Sequence, residues 1–204
     1  MTVLVFGGTF DPVHNGHMAI ARQARDATGA DAVWFVPAAV APLRDPARAT
    51  PDERLALLAA ACGELGDPGV AVLDLAVRRG GVSYTADVMD ALRAEDPARD
   101  LAVLLGADAA RTIAGWHRAG DLLGRERFVI VNRSGPRPLV PAEVSRLGYA
   151  AARTLLLTID SPDISASEVR ERCAKGEALD GLVPSAVAAL IAAKGMYRQN
   201  RDDA

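Results

Sequence analysis

The sequence predicts an α/β fold built on a mostly parallel sheet, and three observations support this prediction. Apolar, strand-like runs recur along the chain with helical stretches between them, which is the order of βαβ units. Several of these runs are apolar at consecutive positions, as strands are when helices cover both faces of a sheet. The chain has 204 residues, a length that suits one well-buried domain better than two. We therefore expect a doubly wound sheet with helices on both faces.

The predicted strands follow one another at regular intervals. They cover residues 3–6, 32–36, 70–77, 101–105, 128–131 and 155–159. After the first of them, Ile20, Ala24 and Ala27 have the spacing of one helical face. This spacing predicts a helix that packs against the sheet directly after the first strand.

Helix ends are also marked in the sequence. Residues 50–53, Thr-Pro-Asp-Glu, combine a capping box with proline at the first helical position and predict a helix to about Leu65. Residues 165–168, Ser-Ala-Ser-Glu, form a second capping box pattern. Pro184 and Gly195 are expected to begin and end a last helix, a short C-terminal extension.

The chain shows no repeat and no low-complexity linker. Residues 135–141 contain three prolines and are predicted to be a loop within the domain. We expect one domain over residues 1–197, and a polar tail, 198–204, that frays.

Composition narrows the class of protein. The formal net charge is -3, so no basic field indicates binding to nucleic acid or to an acidic membrane. The only lysines are Lys175 and Lys194, which excludes a P-loop lysine or a Schiff-base lysine in the first 174 residues. Cys62 and Cys173 lie far apart and indicate two buried thiols in a reducing compartment. With no signal-peptide pattern and no apolar run of about 18 residues, we expect a cytoplasmic protein that neither is exported nor spans a membrane.

The most informative stretch is residues 7–17, Gly-Gly-Thr-Phe-Asp-Pro-Val-His-Asn-Gly-His, between the first strand and the first helix. In open α/β sheets the carboxyl ends of strands are the edge that binds ligands. Gly7 and Gly8 allow backbone amides to approach phosphate oxygens closely. His14 and His17 lie three apart at a helix start, so both rings can project from one face beside a partly positive helix terminus. The stretch therefore predicts a site for a phosphate-bearing ligand.

Other interpretations of this stretch remain open. Asp11, His14 and His17 could form a zinc site, although the chain has only three histidines and no thiolate nearby. A dinucleotide-binding fingerprint is disfavoured because the G-x-G-x-x-G spacing is absent. The two histidines could also be structural, since histidine is often partly buried.

Residues 7–17 resemble the GGTFDPxHxGH signature of the HxGH nucleotidyltransferase superfamily. Residues 164–170, Ile-Ser-Ala-Ser-Glu-Val-Arg, resemble its second signature, ISSTxxR, with Ala166 in place of a serine and Ser167 in place of the threonine. The resemblance implies a Rossmann-like sheet and catalysis by His14, His17 and Arg170. The residues that it implies for ATP binding are Gly7, Gly8, Thr9, Phe10, His14, Gly16, His17, Ile164, Ser165, Ser167 and Arg170.

Similarities along the rest of the chain narrow the resemblance to the nicotinate-nucleotide adenylyltransferase family. They lie at residues 36–37, 83–85, 106–108, 116, 133 and 183–197. The resemblance implies that ATP and nicotinate mononucleotide form nicotinate adenine dinucleotide and pyrophosphate in NAD biosynthesis. It also implies Mg²⁺ without protein metal ligands, and it adds Gly106 and Asp108 to the ATP site. The acceptor residues that it implies are Arg44, Tyr84, Thr85, Trp116 and Arg133, although Arg44 stands where the family carries a Pro-His-Lys-like stretch.

The chemistry of the acceptor simplifies the mechanism. A phosphomonoester has a second pKa of about 6, so at neutral pH it is already ionised and needs no general base. We therefore expect direct in-line attack without a covalent enzyme intermediate. The alternatives are a sibling enzyme, such as pantetheine-phosphate adenylyltransferase or a cytidylyltransferase, and a non-catalytic nucleotide-binding domain.

Several candidate residues also have ordinary structural interpretations. Ser165 is a good helix N-cap whatever it binds, Asp108 could cap a helix, and Tyr84 and Trp116 could serve packing alone. The sequence does not predict the oligomeric state, or a preference for nicotinate over nicotinamide mononucleotide. The central prediction is spatial: the two signatures, distant in the chain, meet over one triphosphate.

Overall fold

The computed structural model describes residues 1–133 and 137–198, which contain six β-strands and nine α-helices. The strands are β1 (Thr2–Gly8), β2 (Ala32–Pro37), β3 (Val70–Val72), β4 (Asp100–Gly106), β5 (Arg127–Arg133) and β6 (Thr154–Ile159). The helices are α1 (Asn15–Thr28), α2 (Pro51–Leu65), α3 (Leu75–Arg79), α4 (Thr85–Glu95), α5 (Ala107–Arg111), α6 (Ala119–Arg125), α7 (Pro141–Arg146), α8 (Ala166–Lys175) and α9 (Ser185–Lys194). Short 3-10 helices cover Ile113–Gly115 and Ala151–Arg153.

The six strands form one parallel sheet in the order β3-β2-β1-β4-β5-β6. Strand β1 lies in the middle, with Val3 paired to Ala32 of β2 on one side and to Leu101 of β4 on the other. The chain winds outward in opposite directions from β1 and β4. Such a reversal leaves a crevice at the carboxyl ends of these two strands, where open α/β sheets bind their ligands.

Helices cover both faces of the sheet, as predicted. On one face α1, α2, α8 and α9 bury apolar side chains against β1, β4 and β5. On the other face α3, α4, α5, α6 and α7 pack on the alternate side chains of the same strands. This confirms the doubly wound α/β fold and the short C-terminal helical extension, α9. None of the helices in the described ranges has the length and apolar character needed to span a membrane.

Most predicted helix ends agree with the structure. Thr50 caps α2, accepting from the Glu53 N–H at 3.3 Å while the Glu53 carboxylate accepts from the Thr50 N–H at 2.8 Å. Helix α9 begins after Pro184 and ends at Gly195, whose φ of 61° places it in the left-handed region. Ser165 caps α8 by accepting from the Glu168 N–H at 3.1 Å. Only this half of the predicted capping box forms, because the Glu168 carboxylate pairs with Arg172 instead.

One prediction about the fold is wrong, and one is confirmed except at a single residue. The run at residues 70–77 is a strand only to Val72, and residues 75–79 form α3. Asp74 interrupts the apolar run, and its carbonyl accepts from the Arg78 N–H in the first turn of that helix. The helix predicted from Ile20, Ala24 and Ala27 is α1, in which Ile20 and Ala24 are buried and Ala27 is exposed.

The remaining predictions involve segments that the structure describes only in part. Within 135–141, residues 135 and 136 lie outside the described residues, and Pro141 begins α7. In the predicted tail, only Arg198 is described. Cys62 is half-buried, Cys173 is buried, and both are free thiols. Burial raises the pKa of Cys62 to about 11, so it stays protonated at neutral pH.

Candidate active site

The crevice between β1 and β4 is bordered by two glycines. Gly7 lies near the end of β1 and Gly106 ends β4. A Cβ placed on either residue would have no atom within 4 Å, so the space above both backbones is open. This is where a ligand can approach the main chain of the two central strands most closely.

The two signature histidines lie together at the start of α1, where His14 is the N-cap. Their ring centroids are 3.7 Å apart at an interplanar angle of 30°, and the His14 N–H donates to His17 Nδ1 at 3.3 Å. The Phe10 ring packs edge-on against His17, with 5.0 Å between centroids. The orientation of His17 is therefore fixed from two sides.

Two other glycines of the first signature make this packing possible. A Cβ on Gly16 would lie 3.0 Å from two atoms of the His14 ring, and a Cβ on Gly8 would lie 2.7 Å from Phe10 Cζ. Phe10 itself has a φ of 51°, which side-chain-bearing residues rarely adopt. Gly8 and Gly16 are thus needed for close packing, whereas Gly7 borders open space.

Both histidines are neutral at pH 7. Burial, helped by the positive charge of Arg133, lowers the pKa of His14 to about 4. Burial, followed by the neighbouring His14 and then Arg133, lowers the pKa of His17 well below its usual value. Because His17 Nδ1 accepts a hydrogen bond, its proton is on Nε2. Each ring can therefore offer one N–H to a ligand but no full positive charge.

Arg170 joins the two signatures. Its Nη1 donates to the backbone carbonyl of Asp11 at 2.7 Å, across 159 positions of sequence. Its Nη2 donates to Ser167 Oγ at 3.0 Å within α8. Close by, the carbonyl of Pro162 lies 3.4 Å from the position of a Cβ on Gly16. The second signature therefore packs directly on the first.

Asp11 is the centre of a buried hydrogen-bond network. One carboxylate oxygen accepts from the Arg48 N–H at 2.8 Å, and the other accepts from the Ala49 N–H at 3.1 Å and from the Tyr197 hydroxyl at 2.9 Å. The carboxylate thus ties three chain segments together. Its oxygens are occupied by these donors, so the arrangement does not favour the zinc interpretation.

Arg54 is a buried cation that the sequence interpretation missed. It is 1% exposed, and its guanidinium donates to the carbonyls of Thr9, Ala39 and Ala49. Burial lowers its pKa, while the neighbouring Asp11 opposes this shift. Arg54 holds the first signature against the loop after β2. A signal was available, because Arg54 shares its helical face with residues 57, 58 and 61, which are apolar.

Arg133 lies closer to the histidines than its predicted acceptor role implied. Its Nη1 donates to the Ile164 carbonyl at 3.3 Å, and its charge acts on both His14 and His17. Asp108 is in the first turn of α5, and its carboxylate lies 3.7 Å from Arg133 and 3.5 Å from Arg111. Gly106, not Asp108, is the N-cap of that helix, so the capping interpretation of Asp108 is wrong.

The other acceptor candidates form a second cluster. Tyr84 precedes α4, Thr85 begins it, and the Tyr84 ring stacks on His117 at a centroid distance of 4.3 Å. Trp116 is half-buried and donates from Nε1 to Thr112 Oγ1 at 3.0 Å. His117 was not predicted, since a single histidine after a tryptophan carries no pattern that would mark it.

The loop that carries Arg44 reaches this second cluster. The Val40 N–H donates to the Gly81 carbonyl at 3.2 Å, and the Val40 carbonyl accepts from the Ser83 N–H at 2.9 Å. Farther along, Leu43 Cδ1 lies 3.6 Å from the position of a Cβ on Gly115. Arg44 is exposed in the middle of this loop, which runs from β2 to α2. The structure thus brings residues 40–44, 83–85 and 115–117 together at the carboxyl edge of the sheet.

Comparisons with known proteins agree with this geometry. Residues 5–172 match the family model described as cytidylyltransferase-like. A protein of Stenotrophomonas maltophilia named probable nicotinate-nucleotide adenylyltransferase is 40% identical over 96% of this chain and 96% of its own. A protein of the same name from Herpetosiphon aurantiacus is 35% identical over 95% and 96%. The chain belongs to the nicotinate-nucleotide adenylyltransferase family.

A solved structure supports the same fold. The nicotinic acid mononucleotide adenylyltransferase of Plasmodium falciparum, in complex with NaAD, superimposes with a TM-score of 0.79 over 96% of this chain and 97% of its own, at 16% identity. The cytidylyltransferase-like match ends at residue 172. Helix α9 and Tyr197 therefore lie beyond it.

Proposed function

We propose that this chain transfers the adenylyl group of ATP to the phosphate of nicotinate mononucleotide, giving nicotinate adenine dinucleotide and pyrophosphate. Family membership establishes nucleotidyl transfer as the chemistry of the chain. The names of the relatives support nicotinate mononucleotide as the acceptor. We further propose that residues 1–197 act as one domain and contain both halves of the site.

One observation carries the proposal: Arg170 of the second signature donates to the Asp11 carbonyl of the first at 2.7 Å. Two buried polar atoms beside this contact, His14 Nδ1 and Arg170 Nε, have no hydrogen-bond partner among the described residues. Buried polar atoms are rarely left unpaired, and such atoms in a cleft favour a polar ligand. A triphosphate presents many oxygens that could accept from groups of this kind.

Because the two histidines are neutral, we expect them to supply hydrogen bonds and other residues to supply positive charge. We propose that His14 and His17 donate hydrogen bonds to the α-phosphate and its neighbours. His17 would lie closest to the charge that develops in the transition state. We assign the positive charge to Arg170, whose planar guanidinium can bind the departing pyrophosphate through two N–H groups. Arg133 lies near both histidines, and we reassign it from the acceptor to the ATP phosphates.

The remaining ATP contacts follow from the geometry of the crevice. Backbone groups of residues 7–10 and 16 would approach the triphosphate from the end of β1 and the start of α1, and the start of α8, with Ile164, Ser165 and Ser167, from the other side. A helix N-terminus stabilises a nearby anion through its free N–H groups. Gly106 leaves room for the nucleoside, and the exposed Asp108 could accept hydrogen bonds from its ribose.

The reaction itself requires positioning and electrostatics. An oxygen of the acceptor phosphate attacks the α-phosphorus in line as the bond to the bridging α,β-oxygen breaks and pyrophosphate leaves with the bonding electrons. Two unit charges about 4 Å apart repel by about 4 kcal/mol at an effective dielectric constant of 20. Fixed donors that meet this developing charge lower the barrier without reorganising during the step. The acceptor is already ionised, so no side chain has to remove its proton.

For the acceptor we propose the second cluster. Tyr84 and Trp116 would contact the pyridine ring, Thr85 would offer its hydroxyl or backbone N–H to the nicotinate carboxylate, and Arg44 would meet the acceptor phosphate. The exposed position of Arg44 in the middle of the loop between β2 and α2 supports this role, because its side chain could turn towards a ligand.

Mg²⁺ enters this proposal as part of the substrate, MgATP. Among the described residues no group of three histidine, cysteine, aspartate or glutamate side chains is placed to hold a metal ion. The crevice presents imidazoles, guanidinium groups and amides instead. The ion would therefore be bound by phosphate oxygens, as Mg²⁺ commonly is.

The test is an acceptor panel assayed with MgATP. Nicotinate mononucleotide, nicotinamide mononucleotide and phosphopantetheine are compared by pyrophosphate release and by chromatography of the dinucleotide product. We expect nicotinate mononucleotide to give the highest kcat/KM. A higher kcat/KM with phosphopantetheine would reassign the acceptor, and no pyrophosphate with any acceptor would overturn the proposal.

A further inference from the structure

Tyr197 lies at the far end of the described chain but contacts the first signature. Its side chain is 9% exposed, and its hydroxyl donates to an Asp11 carboxylate oxygen at 2.9 Å, across 186 positions of sequence. The backbone carbonyl of the same Asp11 accepts from Arg170 at 2.7 Å. One residue thus connects the C-terminus of the chain to the guanidinium proposed for pyrophosphate.

The backbone at Tyr197 is held in an uncommon conformation. Its φ is 61°, in the left-handed region that residues with a Cβ rarely adopt. Gly195, two positions earlier, turns the chain back after α9 with a φ of 61° as well. Such outliers persist only where the surrounding contacts over-determine them. Here the buried ring and the hydrogen bond to Asp11 supply those contacts.

The high pKa of the Tyr197 hydroxyl allows it to act as a hydrogen-bond donor at all times. Burial, followed by the negative charge of Asp11, raises its pKa far above the usual value. The hydroxyl therefore keeps its proton at any physiological pH. Asp11 in turn receives backbone N–H groups from Arg48 and Ala49, so its carboxylate is held from two directions.

We propose that Tyr197 is a positioning residue of the active site, which holds Asp11 so that its carbonyl fixes Arg170 over the triphosphate. Helix α9 and the turn after it would then be part of the catalytic unit rather than an appended structure. Tyr197 lies beyond the residues that match the cytidylyltransferase-like model. The inference rests on the proposed role of Arg170 in binding the phosphates of ATP.

Tyr197→Phe removes the hydroxyl and keeps the ring, and Tyr149→Phe is the matched control. Tyr149 is also buried, at 2% exposed, and its hydroxyl donates to the Ala110 carbonyl at 3.1 Å, outside the Asp11 network. Each variant loses one buried hydrogen bond of a tyrosine. Both should therefore unfold at a somewhat lower temperature, whatever happens to activity.

Steady-state kinetics separates a positioning role from a structural one. We expect Tyr197→Phe to lower kcat/KM for ATP about tenfold, equivalent to about 1.4 kcal/mol, with KM for nicotinate mononucleotide within about twofold of wild type. Tyr149→Phe should keep both constants within about twofold. If Tyr197→Phe keeps kcat/KM for ATP within twofold, or if both variants lose activity in proportion to their stability, Tyr197 has only a structural role.

A double-mutant cycle tests the connection to Arg170. If Tyr197 acts through Asp11 on that guanidinium, the effect of Tyr197→Phe should largely disappear in an Arg170→Lys background. Full additivity of the two substitutions would overturn the proposal. Failure of the proposed function looks different, because wild-type protein would then make no dinucleotide from nicotinate mononucleotide at all.

Discussion

The two halves of the candidate site are built differently. The ATP half, residues 7–17 and 164–170, is held by buried contacts: stacked histidines, the Asp11 network and the guanidinium of Arg170. The acceptor half, residues 40–44, 83–85 and 115–117, consists of loops and a helix start, and its side chains are half-buried or exposed. Catalytic geometry depends on rigid support, whereas recognition of a small acceptor can tolerate movement. Substitutions should therefore affect turnover in the first half and acceptor binding in the second.

The largest effect is expected at His17. Removing its ring in His17→Ala should lower kcat at least about 100-fold, a typical loss for one electrostatic stabiliser of a transition state. The fold should be retained, because the residue as a whole keeps part of its surface exposed, although the loss of the ring contacts to Phe10 and His14 should lower the melting temperature somewhat. Pyrophosphate release measured at saturating substrates tests this. Turnover near that of wild type would remove His17 from the mechanism and weaken the distinction between the two halves.

The next effect concerns stability and compares a buried histidine with an exposed one. The pKa of His14 is lowered in the folded state to about 4 from 6.5, so the unfolded chain binds its proton more readily. The resulting contribution to stability is present above pH 6.5 and is lost as the pH falls towards 4. Between pH 6.5 and 5 we expect His14 to account for a loss of about 1.5 kcal/mol of unfolding free energy.

Urea denaturation at several pH values measures this contribution. His14→Gln should remove part of the acid-dependent loss, while His117→Gln, a change at an exposed position of the acceptor half, should retain it. If both variants show the pH dependence of wild type, His14 is not held neutral by burial, and the hydrogen-bonding role assigned to it would need revision.

Arg170→Lys should produce the third effect. Lysine keeps the charge but loses the planar guanidinium that contacts both the Asp11 carbonyl and Ser167. We expect kcat/KM for ATP to fall about tenfold, which is the loss expected for one hydrogen bond to a charged group. KM for nicotinate mononucleotide should stay within about twofold of wild type. Arg172→Lys is the control and should be neutral, because the partly exposed Arg172 pairs with Glu168 on the same helix and does not contact the first signature. Unchanged ATP kinetics in Arg170→Lys would make Arg170 a structural cation.

The difference between the ATP half and the acceptor half also explains which parts of the site the sequence could predict. Residues 7–17 and 164–170 could be assigned to one phosphate site because each signature carries its chemistry in consecutive residues at a strand or helix end. The Asp11–Tyr197 contact could not, because it depends on two segments that are distant in the chain. The apolar face of α2 marks Arg54 as buried, but its partners on distant segments, such as the Thr9 carbonyl, leave no local pattern. Residues 75–77 were mistaken for strand because a short apolar run fits a buried helix equally well.

The acceptor half was predictable only by resemblance. Tyr84 and Trp116 are ordinary aromatic residues until the fold brings their loops together, and His117 is a lone histidine in the sequence. The sequence also gives no local pattern for Arg133, whose acceptor role is implied by resemblance alone and whose charge acts on His14 and His17 in the structure. Whether a residue can contact the acceptor depends on the distances between loops in the folded chain. Hydrophobic periodicity in the sequence contains no information about those distances.

The smallest effect is expected at Trp116, and it tests the acceptor half directly. Trp116→Ala removes a half-buried indole next in sequence to His117, whose ring stacks on Tyr84, and the loss of one aromatic contact amounts to about 0.5–1.5 kcal/mol. KM for nicotinate mononucleotide should rise about three- to tenfold, with KM for ATP within about twofold.

Trp34→Ala is the matched control: Trp34 is also half-buried, but it lies in the middle of β2 under the guanidinium of Arg99, 4.8 Å away. That variant should lose stability without a change in either KM. If both variants raise the two KM values equally, Trp116 supports the fold alone, and the acceptor ring must bind elsewhere along the carboxyl edge of the sheet.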